Sequence, residues 1–326
     1  NWNKTIAERK RNGKDTPEPY KGLETVLQEM GLKATIEDKD IKDGMNEAEI
    51  WEVFQTIYDT LEEGDEVYMD LTHSFRFLPM LLLVLVNYAK FLKGITIENI
   101  VYGNYEARNI AENEAPIISL LPLASLQDWT FAAANYLQNG RATQLQAMVS
   151  PILKKAKGTD KDASALNNYF NALAELSGFV LNCRGKDIRV GKKIYTIHNE
   201  EKRIEKIIIP PMVPIFNKIH QPLLAFSPTD NILNGFHAAR WCLNKQLHQQ
   251  AITLLQETVV SLLCKENGLD LLDKNQRILI NKAFTIVSDK IPESKWILSE
   301  DGAEASEKQK VTIKHLIQHP VIIGLA

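Results

Sequence analysis

Val67-Tyr68-Met69-Asp70-Leu71-Thr72-His73-Ser74-Phe75-Arg76 is the stretch that decides how this chain folds. Gly64-Asp65 makes a turn before it, and Glu66–Leu71 reads as a buried strand with an acid at its end. Thr72-His73-Ser74 are expected at the start of the next helix. Phe77–Leu92 is apolar enough to be a helix buried on more than one face, closed by Gly94. Ile97–Tyr102 follows as a second strand and Ile117–Leu121 as a third. Strand, helix, strand in that order implies a mostly parallel sheet.

Working outward, Asn1–Pro19 reads as a helix end and a loop, and Gly22–Met30 as a short helix ended by Gly31. Lys33–Ile36 is a candidate strand. Ile50, Val53, Phe54, Ile57 and Leu61 fall at helical spacing, with Asn46 as N-cap and Glu49 three residues on. From Ser125 onward the pattern is helical: Gln127–Leu137, Ala142–Lys157, Asp162–Cys183 after a turn at Gly158-Thr159, Asn231–Lys265, Asp273–Val287 and Glu307–His319. Between them, about 185–214, Asp187–Val190, Lys193–Ile197 and Ile207–Ile209 suggest a small β insertion. The expected organisation is an α/β domain over 1–124 and a mainly helical domain over 125–326.

The chain has 326 residues, 44% hydrophobic and 24% charged, with 38 Lys plus Arg against 41 Asp plus Glu. A net charge of -3 disfavours a surface that coats nucleic acid but leaves room for a local basic pocket. Cys183, Cys242 and Cys264 are scattered and show no metal-ligand spacing, which fits a reducing cytoplasm. The longest apolar run, Leu78–Val86, is too short to span a bilayer, and no membrane partner is expected. The chain opens on Asn1 rather than Met, which suggests that residues precede it.

Backbone N–H groups at a helix N-terminus attract anions, and Thr72 and Ser74 add hydroxyls there. His73 and Arg76 supply donors for a phosphate or a base edge. Asp70 or Thr72 could equally serve as a plain helix cap. Gly103-Asn104-Tyr105 follows the next strand, so it belongs on the same sheet edge. Asn104 can read a base and Tyr105 can stack on one, although a simple strand-to-loop turn accounts for these three residues as well.

Asp70-Leu71-Thr72-His73-Ser74-Phe75-Arg76, with Leu78-Pro79, resembles the Asp-x-Thr-His-Gly-Phe-Arg signature of the CRISPR-associated "DxTHG" family. Gly64-Asp65-Glu66-Val67, Tyr102-Gly103 with Glu106, and Pro116-Ile117-Ile118 leading to Asp128-Trp129 extend the likeness. The resemblance implies a Rossmann-like CARF domain followed by a helical HEPN domain. It also implies a homodimer that binds a cyclic oligoadenylate, commonly the tetra-adenylate, and thereby switches on a metal-independent ribonuclease against single-stranded RNA. No cofactor is implied. Thr72, His73, Ser74, Phe75 and Arg76 would form one ligand loop, and Gly103, Asn104 and Tyr105 its neighbour.

Ser74 stands where the signature has Gly. The HEPN motif, an Arg with four to six residues before a His, is not found at His73, His198, His220, His237, His248, His315 or His319. Arg240 and His248 are one residue too far apart. The catalytic pair is therefore expected beyond Ala326 or lost. Two alternatives follow: a sensor with an inactive effector half, and a ring nuclease that cuts its own ligand. Elsewhere, Trp129 and Phe131 read as core, and Arg240-Trp241 and His248 as parts of a packed helix. Glu200, Glu201 and Glu205 among Lys192, Lys193, Lys202 and Arg203 read as a solvated face. His315 and His319, four apart, lack a third ligand and read as structural.

Overall fold

The computed structural model describes residues 6–11, 14–20, 22–74, 77–112, 114–155, 161–207, 210–299 and 305–325. It divides into two compact units, Asn1–Ala124 and Ser125–Ala326.

The first unit starts with an antiparallel pair, β1 (Ile6–Arg11) and β2 (Lys14–Tyr20), where the sequence suggested a helix end and a loop. Helices α1 (Leu23–Glu29) and α2 (Glu47–Asp59) follow, and residues 33–36 form no strand. Asn46 caps α2: its side chain accepts from the Glu49 amide at 3.0 Å, while Glu49 reaches back to the Met45 amide at 2.9 Å. The returning carboxylate thus satisfies a donor one residue ahead of the usual partner in a capping box.

Three strands make the central sheet: β3 (Glu66–Asp70), β4 (Thr96–Gly103) and β5 (Ile117–Ser119), in the order β3-β4-β5. β3 and β4 run parallel, pairing Glu66 with Thr96 and Asp70 with Val101. They are joined by α3 (Leu78–Lys93), as a parallel crossover requires. β4 and β5 run antiparallel, with Gly103 opposite Ile117. The sheet is therefore mixed rather than mostly parallel. The connection after β4 holds a single 3-10 turn and a small bridge between Asn109 and Glu114, so the chain simply folds back.

Leu81, Leu82, Leu85, Val86 and Ala89 bury one face of α3 against Val53, Ile97 and Ile100. The expectation of burial on several faces does not hold within this chain. Met80, Val84 and Phe91 leave an exposed apolar stripe on the other side, Phe91 at 86%. β3 also departs from expectation: it is a sheet edge with alternating exposure, and Tyr68 faces solvent.

The second unit is helical. After α4 (Leu121–Asn139), which runs across the boundary between units, come α5 (Thr143–Lys155), α6 (Lys161–Leu181), α7 (Gly185–Val190), α8 (Lys192–Ile207) and α9 (Val213–His220). They are followed by α10 (Leu233–Asn244), α11 (His248–Glu266), α12 (Lys274–Ser288), α13 (Glu307–Leu316) and α14 (Pro320–Leu325). The suggested β insertion at 185–214 is corrected by α7 and α8. Ile194, Ile197 and Ile204 are all buried on the inner face of α8, a helical recurrence that outweighs the strand preference of isoleucine. Residues 208–209 and the turn at 158–159 lie outside the described residues. The stretch 231–265 is two helices, broken at Gln246 with φ 60°. Lys245 turns back there to donate to the Leu137 carbonyl at 2.6 Å, at the end of α4.

One core of this unit gathers Tyr169, Leu173, Ile188, Ile194, Ile197, Phe216 and Trp241. Trp129 belongs to it as expected, whereas Phe131 is half exposed. A second core joins Leu263, Ile280, Ile313 and Ile322 across α11 to α14. Among the described residues, no helix is long and apolar enough to cross a membrane.

Candidate functional site

The carboxyl ends of the parallel strands β3 and β4 lie side by side, so the segments that leave them share one edge of the first unit. Such an edge is where open α/β sheets hold ligands. Thr72 ties the two segments together. The Gly103 amide donates to Thr72 Oγ1 at 2.8 Å. A Cβ at Gly103 would stand 3.0 Å from Thr72 Cγ2, so a larger residue there would push the Thr72 side chain aside.

Asp70 organises the first loop. Its Oδ1 accepts from the Thr72 amide at 2.8 Å. Hydrogen bonds from the Thr72 side chain and amide hold its carboxyl below the ordinary value of 3.8, with a smaller contribution from the charge of His73. The Ser74 hydroxyl donates to the Leu71 carbonyl at 2.9 Å, and the Leu71 amide donates to the Val101 carbonyl. His73 projects into solvent between them.

These residues do not begin the helix as the sequence suggested. α3 starts at Leu78 with Pro79 in its first turn, and Phe77 is its N-cap without a side-chain bond. Proline suits that position because the first helical amides lack partners in any case. Asp70 caps a turn rather than a helix, and Thr72 spends its acceptor on Gly103. The Phe77 ring packs over Gly44, whose added Cβ would meet it at 2.5 Å. Phe75 and Arg76 lie outside the described residues.

On the second segment the Asn104 side chain accepts from the Ala107 amide at 3.3 Å, closing the 3-10 turn of residues 105–107. Its amide donates to Pro116 at 2.9 Å. Tyr105 is 62% exposed. Arg108, which sequence reading overlooked, lays its guanidinium 3.8 Å from the Tyr105 ring centre and donates to the Tyr105 carbonyl. Thr72, Ser74, Gly103 and Asn104 thus build the edge, and His73 and Tyr105 stand open on it. An Arg three residues after a Tyr, within one turn, was the available signal for Arg108.

The second unit holds a separate buried polar cluster. His220 takes Tyr169 Oη on Nδ1 at 3.0 Å and Glu201 on Nε2 at 2.8 Å, and its ring stacks on Phe216. Burial drives the Tyr169 hydroxyl well above its ordinary range. Glu200 is buried too, contrary to the solvated face expected of it, because Arg203 pairs with it at 3.0 Å. Asn168 donates to its other oxygen at 3.3 Å. Glu201 is taken by His220, and the Glu205 side chain lies outside the described residues. Tyr169, Glu200 and His220 are buried and each has a neighbour in this cluster within pairing distance, which marks it as structural. His319 pairs with Glu266 at 3.3 Å. Among the described residues no group of three metal-ligating side chains converges.

Residues 11–106 match the family model described as the CARF domain of the CRISPR system endoribonuclease Csx1. The match contains β3, α3, β4 and every site residue expected from the sequence, while Arg108 lies just beyond it. Over 248 residues the chain is 23% identical to the CRISPR-associated protein MJ1674 of Methanocaldococcus jannaschii, covering 74% of this chain and 36% of that protein. The chain therefore spans about a third of the length of the curated relative it matches.

Proposed function

We propose that this chain is a CRISPR-associated protein whose residues 11–106, which match the CARF model, make its first unit the sensor half of a type III CRISPR ancillary protein that binds cyclic oligoadenylate. One observation carries the proposal: Thr72 Oγ1 and the Gly103 amide, 2.8 Å apart, lock the exits of two parallel strands into one edge. On that edge His73 can donate to phosphate, and Tyr105, backed by Arg108, offers an adenine a stacking face. Arg76 belongs to the same loop by sequence.

A ring built from identical nucleotides suits a two-fold site, in which each subunit contributes the same loops. The exposed stripe of Met80, Val84 and Phe91 on α3 supports a homodimer, since apolar side chains this exposed favour a partner. The ring would shift the helical unit only through its higher affinity for one arrangement of the dimer. In this reading the helical part is the effector, a HEPN-type ribonuclease acting on single-stranded RNA without metal. The second version is a sensor whose effector half is inactive.

Calorimetry with cyclic tetra-adenylate, cyclic hexa-adenylate and linear tetra-adenylate tests the ligand. Binding of a ring at one per dimer, and not of the linear form, is the expected result. Equal affinity for all three, or none for any, rejects the proposal. Cleavage of a fluorescent single-stranded RNA with and without the ring then separates the active from the inactive effector.

A further inference from the structure

Within the second unit, α7, α10, α11 and the start of α12 line an open cavity of about 290 Å³. Lys186, Arg189 and Arg277 line it against a single carboxylate, Glu257. Asp230 approaches Arg189 from beside the cavity, so three cations face two carboxylates even when it is counted. A local positive surplus stands out on a chain whose formal charge is -3.

The donors are arranged and incompletely used. Arg277 is fixed by bonds to Ser261 Oγ at 3.0 Å, the Leu271 carbonyl at 3.3 Å and Glu257 at 2.5 Å. A guanidinium has five N–H groups, so these three bonds leave two. Arg189 sits 3.3 Å from Asp230 through its Nε, yet that buried atom finds no aligned acceptor. Lys186 is exposed and has no carboxylate partner among the described residues. The floor is closed by Gly235 against Thr258, where a Cβ would collide with the threonine hydroxyl. Ile232, Leu271 and Leu272 give the wall an apolar side.

Two guanidinium forks and an ammonium around an apolar-walled cavity match a phosphate group carrying a small organic body. We propose that this cavity is a second ligand site, which binds a phosphate monoester of mononucleotide size. Its volume lies at the bottom of the range for small-molecule pockets, about 300–1,000 Å³. That is too small to hold a whole cyclic oligonucleotide. Three cations gathered at one spot also suit a terminal monoester, which carries more charge than a phosphodiester.

The test uses the full chain and calorimetry with adenosine 5′-monophosphate, inorganic phosphate and a single-stranded oligoribonucleotide without terminal phosphates. Adenosine 5′-monophosphate should bind at one per chain and more tightly than inorganic phosphate. Lys186→Glu reverses an exposed charge without touching the core and should weaken that binding about tenfold or more. Arg189→Gln should do the same, while leaving affinity for cyclic tetra-adenylate unchanged. Thermal melting identical to the parent certifies the Lys186→Glu fold. Monophosphate binding that is undetectable, or unaltered in Lys186→Glu, overturns the proposal. Tighter binding of the oligoribonucleotide, lost in Lys186→Glu, also overturns it and makes the cavity a nucleic-acid contact.

Discussion

Thr72→Val is the sharpest probe of the ligand edge. Valine keeps the branched shape, so the 3.0 Å approach of Cγ2 to the space above Gly103 is retained. Only the hydroxyl is lost, and with it the 2.8 Å bond from the Gly103 amide. A neutral hydrogen bond is worth about 0.5–1.5 kcal/mol, and orphaning a buried donor costs about 1–3 kcal/mol. Gly103 is half buried, so water repairs part of the loss and about 1–2 kcal/mol is expected. That corresponds to roughly 5- to 30-fold faster opening, read as hydrogen exchange of the Gly103 amide. Thr72→Ser should restore protection. The same change removes the Thr72 side-chain bond, the larger of the two that depress the Asp70 carboxyl, and leaves the amide bond in place. In the folded parent Asp70 contributes stability above its ordinary value of 3.8, and loses it as pH falls through its lower folded value. In Thr72→Val the carboxyl resonance should titrate closer to 3.8. The energetic effect is small because Asp70 is exposed and screened. Unchanged exchange at Gly103 together with an unmoved Asp70 titration would show that Thr72 does not tie the loops.

Gly140→Ala should destabilise the second unit by about 2–4 kcal/mol, combining left-handed backbone at φ 77° with a collision against the Trp241 ring. A melting temperature within a degree of the parent would contradict it. His220→Leu strips the partner from a buried tyrosine hydroxyl and from Glu201, and should cost about 2–4 kcal/mol in urea denaturation. A loss under half a kcal/mol would mean the cluster adds nothing. Burial pushes the Cys242 thiol up to about 11 and also raises Cys264. Iodoacetamide at pH 8 should therefore spare both in the folded chain and label them after denaturation, and labelling of Cys242 in the native state would refute the packing.

The central strand–helix–strand was legible in the sequence because its apolar periods are long and its ends are punctuated. Gly94 closes α3 in the left-handed conformation, and Asn46 caps α2 as its spacing with Glu49 implied. What escaped was decided by contacts far apart in the chain. The direction of β5 depends on how the connection 104–116 folds back, which local propensity does not encode. Glu200 looked like one of several surface acids, and only the approach of Asn168 from α6 and of Arg203 makes it a buried one. Isoleucines in α8 favoured a strand until their spacing was weighed against their type.

The loop after Asp70 shows the same division within a single site. Its residue types were legible. Their roles were not, because Thr72 and Ser74 look like ligand donors until their partners are known. The Ser74 hydroxyl is turned inward to Leu71, and Thr72 accepts from Gly103. Both already have a structural partner that builds the edge. On the proposed reading, direct contact falls to the groups that stay open, His73 and Tyr105. This division predicts different losses. His73→Ala and Tyr105→Ala should weaken ring binding without altering exchange at Gly103. Thr72→Val should alter exchange first and affinity only as a consequence. If His73→Ala and Tyr105→Ala both bind cyclic tetra-adenylate as the parent does while Thr72→Val does not, the contacts are made by Thr72 itself and the assignment of roles is reversed.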